Sequence, residues 1–382
     1  MLGGASAVIL TGQISLPDAL GAINIDVMLF LFGMFIVGEA LVDSGYLSTI
    51  SCRFFSMART PDQVIFLILF GMGFLSALLM NDTLAIIGTP LVLGLAAKFR
   101  ISPKLVLISL AIAVTTGSVM SPIGNPQNLL VAINSGLKTP FVTFGLYLLL
   151  PTLISLGAAF FVLRFFFHRD FSARVLVHEA PPVCDPAKSL PVKCSLAIIL
   201  FLAAINLAAS LSGGTLLVSL PLIALCAGAP ILLFSSRRIE LARNIDWYTL
   251  VFFAAMFVLM ESVWQTGFFQ SFVSAPHLTS VPAILGTSVI ISQFISNVPF
   301  VALFQPMILQ AGGTTSQMMA LAAGSTIAGN LTILGAASTV IIIQNAEKQG
   351  ETLTFLEFAR VGVPLTVLQV AVYWIWLTLL PF

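Results

Sequence analysis

The chain has 382 residues, 58% of them hydrophobic and 8% charged, with 16 Lys and Arg against 15 Asp and Glu. A soluble domain carries about 25% charged residues, so composition excludes a water-soluble fold and makes the lipid bilayer the chain's surroundings. With the charges balanced, no excess of either sign argues for a nucleic-acid partner or an acidic partner protein.

A helix needs about 20 apolar residues to cross the hydrocarbon core. In chain order, spans are predicted at 25–41, 104–137, 141–163, 195–211, 214–234, 247–262, 316–345 and 362–382. The segment from Tyr46 to Arg59, with Leu47, Ile50, Phe54 and Met57 on one side, reads as a surface helix. Two more apolar stretches, 63–97 and 281–310, are polar at their centres, at Asn81, Asp82 and Thr83 and at Ser296, Asn297 and Pro299. Arg53 and Arg59 precede the first stretch and Lys98, Arg100 and Lys104 follow it, so the positive-inside rule places both of its ends in the cytoplasm. A re-entrant hairpin satisfies that. Carried forward, this topology puts the loop 164–193 and the basic residues Arg237, Arg238 and Arg243 inside. A second hairpin, entering from outside, then leaves Lys138 as the only basic residue on the outer face.

The spans 104–137 and 316–345 are too long for one straight crossing, and each is interrupted. Pro122 and Pro126 remove backbone donors and Gly124 permits a turn, while Gly329 and Gly335 loosen the second. Backbone groups freed inside a bilayer must be satisfied by protein, water or a bound ion. Polar side chains crowd both places: Thr115, Thr116, Ser118, Ser121, Asn125, Gln127 and Asn128 in one, Asn330, Thr332, Ser338 and Thr339 in the other. The plainer alternative is a kinked helix whose Ser and Thr residues bond their own backbone.

An internal repeat runs through these features. Asn24-Ile25-Asp26 matches Asn244-Ile245-Asp246 at an offset of 220; Ser76, Asn81 and Pro90 match Ser292, Asn297 and Pro306 at 216; Gly124 matches Gly335 at 211. The halves are alike in order and opposite in orientation, and inverted repeats with discontinuous helices place transport sites near the midplane. The fold class expected is therefore an all-α polytopic membrane protein with inverted-topology repeats, each with a re-entrant helical hairpin and a discontinuous helix. Residues 1–163 form the first repeat, 164–194 a cytoplasmic linker and 195–382 the second. At the offset of 220, residues 1–14 match 221–234 and nothing precedes them to match 195–211, so the first repeat is expected to be short at its N-terminus.

Other chemistry is sparse. Cys52, Cys184, Cys194 and Cys226 form no CxxC, and His168, His178 and His277 fall in loops, so no metal centre is expected. No glycine-rich phosphate loop is present, which points to an ion gradient as the energy source and leaves a separate ATPase subunit open. Asp26 and Asp246 are read as helix N-caps and Glu39 and Glu261 as interfacial carboxylates. Asp82 is the one acid at the centre of a hairpin, where an ionised carboxylate is costly. It is expected to exchange a proton or hold a cation, the alternative being a cap for the helix that follows.

With Ser121-Pro122-Ile123-Gly124-Asn125-Pro126-Gln127-Asn128-Leu129 in one half and Ser296-Asn297-Val298-Pro299-Phe300 and Gly329-Asn330-Leu331-Thr332 in the other, the chain resembles the ion transporter superfamily. The resemblance runs from about residue 24 to the C-terminus and is nearest the arsenite-permease and NhaD-type antiporter branch (ArsB/NhaD), with sodium-coupled dicarboxylate symporters as cousins. It implies one site at Asn81, Asp82, Thr83, Gly124 and Asn125 and another at Ser296, Asn297, Thr332 and Gly335, to which the polar residues Ser121, Asn128, Asn330, Ser338 and Thr339 add. The function expected is secondary transport of a small anion or oxyanion, arsenite-like or antimonite-like, across the inner (cytoplasmic) membrane. Sodium or a proton would be the coupling ion, and no other cofactor and no enzyme activity are expected. A sodium/proton antiporter, a sodium-coupled anion or dicarboxylate symporter and, behind these, a channel are the alternatives. The chain lacks the symporters' Ser-Asn-Thr triplet at either tip. A homodimer is left open.

Overall fold

The computed structural model describes the chain except residues 47–48, 51–54, 56–57, 172–185, 274–279 and 380–382. Most of the predicted surface helix, Cys52, Cys184, His178 and His277 lie outside the described residues. Every regular element among the described residues is helical, and seven helices are long and apolar enough to cross a membrane.

Helices α1 (Leu2–Leu10), α2 (Leu16–Ala22) and α3 (Ile25–Ser44) open the chain. The cap of α3 is Asn24, whose Oδ1 accepts from Val27 N at 3.1 Å; Asp26 stands within the first turn, which corrects the expectation that it caps. The first hairpin follows as α4 (Pro61–Leu79) and α5 (Asn81–Phe99), joined by Met80 alone. Gly88 and Met72, equally far from Met80, face each other: a Cβ on Gly88 would lie 2.9 Å from the Met72 Cε. Next come α6 (Pro103–Ser118), α7 (Pro126–Asn134) and α8 (Pro140–Phe166).

The second half repeats the order: α9 (Pro186–Leu211), α10 (Leu220–Phe234), a short α11 (Arg238–Asn244), α12 (Trp247–Gln265) and α13 (Phe268–Val273). The hairpin α14 (Val281–Ile295) and α15 (Asn297–Gln310) turns at Ser296. Then come α16 (Thr315–Ile327), α17 (Ala337–Glu347) and α18 (Phe355–Leu379). At about 1.5 Å per residue, α14 and α15 each reach about 22 Å, short of a hydrocarbon core of about 30 Å.

Packing crosses the halves. The arm α3 packs most heavily on α10 of the other repeat, where a Cβ on Gly33 would lie 2.5 Å from the Ala224 backbone, and its counterpart α12 packs on α1 and α2. Around the hairpins, α6 lies against α4 and α5, and α16 against α14, α15 and α18.

Charges gather at one end of the bundle. Arg237 pairs with Asp43, Arg164 with Asp62 and Lys104 with Glu357, and Ser102 N donates to Asp170 at 3.2 Å. Both feet of the first hairpin therefore meet the end of α8. At the opposite end Gln305 on the second hairpin donates to Ser135 at 2.9 Å, and Leu216 N to the Lys138 carbonyl at 3.0 Å. The two hairpins enter from opposite ends, in the arrangement that the basic residues predict.

Candidate functional site

Each tip reverses the chain in a single residue. Met80 (φ 68, ψ 142) and Ser296 (φ 69, ψ 162) take the left-handed side of backbone space, a region that costs a non-glycine residue about 1–3 kcal/mol and clusters at functional sites. Both precede a buried Asn, Asn81 and Asn297.

The first break is held largely by its own side chains. Asn125 caps α7 by accepting from Asn128 N at 2.8 Å. The Asn128 amide donates to the carbonyls of Ser118, Val119 and Ser121 at 3.0, 3.2 and 3.1 Å, and Ser121 Oγ accepts from Ile123 N at 3.3 Å. Gly124 is required because a Cβ there would lie 2.4 Å from the Ser118 carbonyl. Its own carbonyl accepts from Asn81 N at 3.0 Å, which pins the first tip to the first break.

The second break is built differently. Two short 3₁₀ turns, Ala328–Asn330 and Ile333–Gly335, lead to α17, and Ala336 stands where Asn125 stands in the first. No side chain caps α17, whose first turn carries the buried Ser338 and Thr339. Gly335 again leaves no room, a Cβ lying 2.5 Å from the Ala328 carbonyl. Asn81 reaches across to this helix, its Nδ2 donating to Ser338 Oγ at 3.4 Å.

Two amide and hydroxyl clusters staple the breaks together. Thr326 Oγ1 accepts from Asn125 and Gln127, both at 3.3 Å, and donates to Asn128 Oδ1 at 3.2 Å. Thr116 Oγ1 accepts from Asn330 and Gln369, both at 2.9 Å, and Asn330 also donates to Gln369 Oε1 at 2.9 Å. The sequence reading assigned neither Thr326, Gln369 nor Gln293 to the site. Thr332 donates to Gln293 at 2.7 Å, and no hydrogen bond of Ser296 or Asn297 reaches the second break.

What remains unsatisfied is mostly acceptor. The buried Oδ1 atoms of Asn81, Asp82, Asn297 and Asn330, and the hydroxyls of Thr115, Ser292 and Thr339, have no hydrogen-bond partner. Leaving such a group unpaired costs about 1–3 kcal/mol; these atoms lie on the tips, the breaks and the helices beside them, and others, on Ser155, Thr366 and Trp376, lie in α8 and α18. Asp82 caps nothing: α5 starts without a side-chain cap.

A cavity of about 550 Å³ leads to the first tip, lined by Glu39, Asp82, Thr83, Asn244, Asp246 and Ala337 among others. It reaches the surface at Tyr248, near the basic end. Asp246 lines it while capping α12, accepting from Thr249 N at 2.9 Å as expected. At the opposite end Glu261 and Asn24, the repeat partners of Glu39 and Asn244, line a cavity of about 270 Å³ that stops among Ala302, Pro306 and Gln310, short of the second tip.

Comparison with known proteins agrees with this architecture. The CitMHS family model, described as a citrate transporter, matches residues 1–317. An uncharacterized transporter of Mycobacterium tuberculosis is 30% identical, over 99% of this chain and 92% of that protein. The silicon efflux transporter LSI3 of Oryza sativa is 25% identical, over 97% and 90%. Among solved structures, the YdaH transporter of Alcanivorax borkumensis, described as having an unusual topology, superposes with a TM-score of 0.63 at 16% identity, over 94% of this chain and 86% of that one.

Proposed function

The chain belongs to the CitMHS citrate transporter family, and from that premise we propose that this membrane transporter carries a small hydroxylated oxyacid, neutral or singly charged, coupled to a proton or sodium ion at Asp82. The observation that carries the reading is the orphan oxygens on Asn81 and Asp82 beside the uncapped start of α17, with further ones on Asn297 at the second tip and Asn330 at the second break. Acceptor oxygens suit a ligand that brings hydrogens or positive charge. Free amides at a helix N-terminus suit partial or single negative charge. An acid such as arsenite or silicic acid offers both, in hydroxyls that donate and oxygens that accept.

No Lys or Arg stands between Lys104 and Lys138 or between Arg243 and Lys348. A multiply charged anion would therefore enter without a compensating cation, which a low-dielectric site penalises heavily. The rice relative's name, a silicon efflux transporter, supports a neutral hydroxylated acid. The family's description makes citrate the substrate to test against it. With the basic end in the cytoplasm, as the positive-inside rule directs, the cavity of about 550 Å³ that Asp82 lines faces inward from the cytoplasmic membrane.

Flux into proteoliposomes tests the reading, with arsenite, silicic acid, citrate and sodium supplied separately under an imposed pH gradient. Gradient-dependent flux of arsenite or silicic acid is expected. Flux of citrate alone, or of sodium with no acid present, would overturn it in favour of a carboxylate carrier or a sodium/proton antiporter.

A further inference from the structure

The two hairpins are fastened to their broken helices by different means. The first tip is held by a main-chain bond, Asn81 N to the Gly124 carbonyl at 3.0 Å, with Ser76 Oγ donating to the Val114 carbonyl at 2.6 Å one turn earlier. The repeat partners of the first pair, Asn297 N and the Gly335 carbonyl, are not bonded. Ser292, the partner of Ser76, has a hydroxyl with no partner. In their place stands Gln293. Its Nε2 donates to the Ala328 carbonyl at 2.9 Å and its Oε1 accepts from Thr332 Oγ1 at 2.7 Å. These are both of the side-chain hydrogen bonds that join α14 to the second break among the described residues. In the first repeat the matching position is Ala77, which has no hydrogen-bonding group to offer.

We propose that Gln293 is a positioning residue, a side-chain latch that holds the second hairpin tip against the second break and lets that tip open while the first stays pinned. A main-chain bond survives any rotation of side chains, whereas the Gln293 amide has only to turn about its own bonds to release both partners at once. Gly335 keeps the contact possible: a Cβ there would lie 2.9 Å from Gln293 Oε1. The amide presents one donor and one acceptor to the break, the pair that a hydroxylated acid also presents. A ligand of that class can therefore replace the latch bond for bond. Only this last consequence rests on the function proposed above.

The latch is read without any substrate, by hydrogen–deuterium exchange of the full-length protein in nanodiscs, comparing amides 290–300 with amides 76–86. Gln293→Leu keeps the bulk and removes both hydrogen bonds to the break, together with the one that Nε2 donates to the Val289 carbonyl of its own helix at 3.0 Å, so exchange at 290–300 is expected to rise at least about tenfold with 76–86 unchanged. Gln293→Glu supplies a discriminating variant. A protonated Glu can still donate to the Ala328 carbonyl and an ionised one cannot, so protection relative to wild type at each pH should return as pH falls. Titration from neighbours does not obscure this, because α14, α15, α16 and both 3₁₀ turns carry no charged residue and α18 carries only Glu357 and Arg360 near its start. Unchanged exchange at the second tip in Gln293→Leu, an equal rise at both tips, or a pH-independent Gln293→Glu would each overturn the latch. Because no flux is measured, these outcomes are separate from failure of the transport reading, which the proteoliposome panel decides.

Discussion

Met80 and Ser296 stand 216 residues apart and hold nearly the same positive-φ backbone, each the single link between two antiparallel helices and each followed by a buried Asn. A side chain in that region carries steric cost, which a β-branched residue feels most. Replacing Ser296 by Val should therefore lower stability by about 2 kcal/mol. In Ser296→Gly the relieved strain and the added chain entropy nearly offset, leaving a change within about 1 kcal/mol. Thermal unfolding in detergent checks both, and a Ser296→Val protein as stable as wild type would show the tip conformation to be wrong.

Close approach of backbones sets a second expectation. A Cβ on Gly362 would lie 2.1 Å from the Asn330 carbonyl, so α18 touches the second break at main-chain distance, whereas nothing lies within 4 Å of a Cβ on Gly94. Gly362→Ala should cost about 3 kcal/mol by overpacking, and Gly94→Ala should gain about 0.5–1 kcal/mol from helix propensity. The comparison is made on melting temperatures of the two variants, and a neutral Gly362→Ala would refute the contact.

Topology follows from the ends that meet in space. In a cysteine-free background, single cysteines at Arg59, Ala97 and Glu240 should react with an impermeant thiol reagent from the cytoplasmic side, and those at Ser212 and Gln310 from the other. Reaction of positions 59 and 97 from opposite sides would mean that the first hairpin crosses the membrane, and the inverted arrangement would fall.

Much of this was legible because the bilayer makes polarity conspicuous. Asn81, Asp82 and Asn297 stood out as polar residues in apolar stretches, basic residues at the feet of the first hairpin gave its direction, and Pro126, Gly124 and Gly335 marked the breaks. Partner choice was not legible, since an amide's appetite for hydrogen bonds carries no address. Asn125 and Asn128 serve largely to satisfy the first break, and Thr326 and Gln369 tie the two breaks across the repeat. Gln293 escaped notice because the repeat aligns it with Ala77, so comparison of the halves carried no signal there. The N-cap of α3 fell to Asn24, not Asp26, because the accepting side chain must stand three residues before the amide it bonds. Pairing of α1 with α12, and of α3 with α10, exchanges arms between halves in a way that an offset along the chain does not express.

In the function proposed above Asp82 couples transport to an ion gradient, and Asp82→Asn is the variant that removes this coupling alone. Asn keeps an acceptor oxygen and nearly the same shape while removing the charge that would bind and release a proton or sodium ion. Wild type and variant are compared in one proteoliposome preparation, for accumulation of the transported acid against its own gradient and for its one-for-one exchange. Asp82→Asn is expected to lose accumulation by at least about tenfold while exchange continues. Accumulation at the wild-type level with an unchanged pH dependence would contradict it.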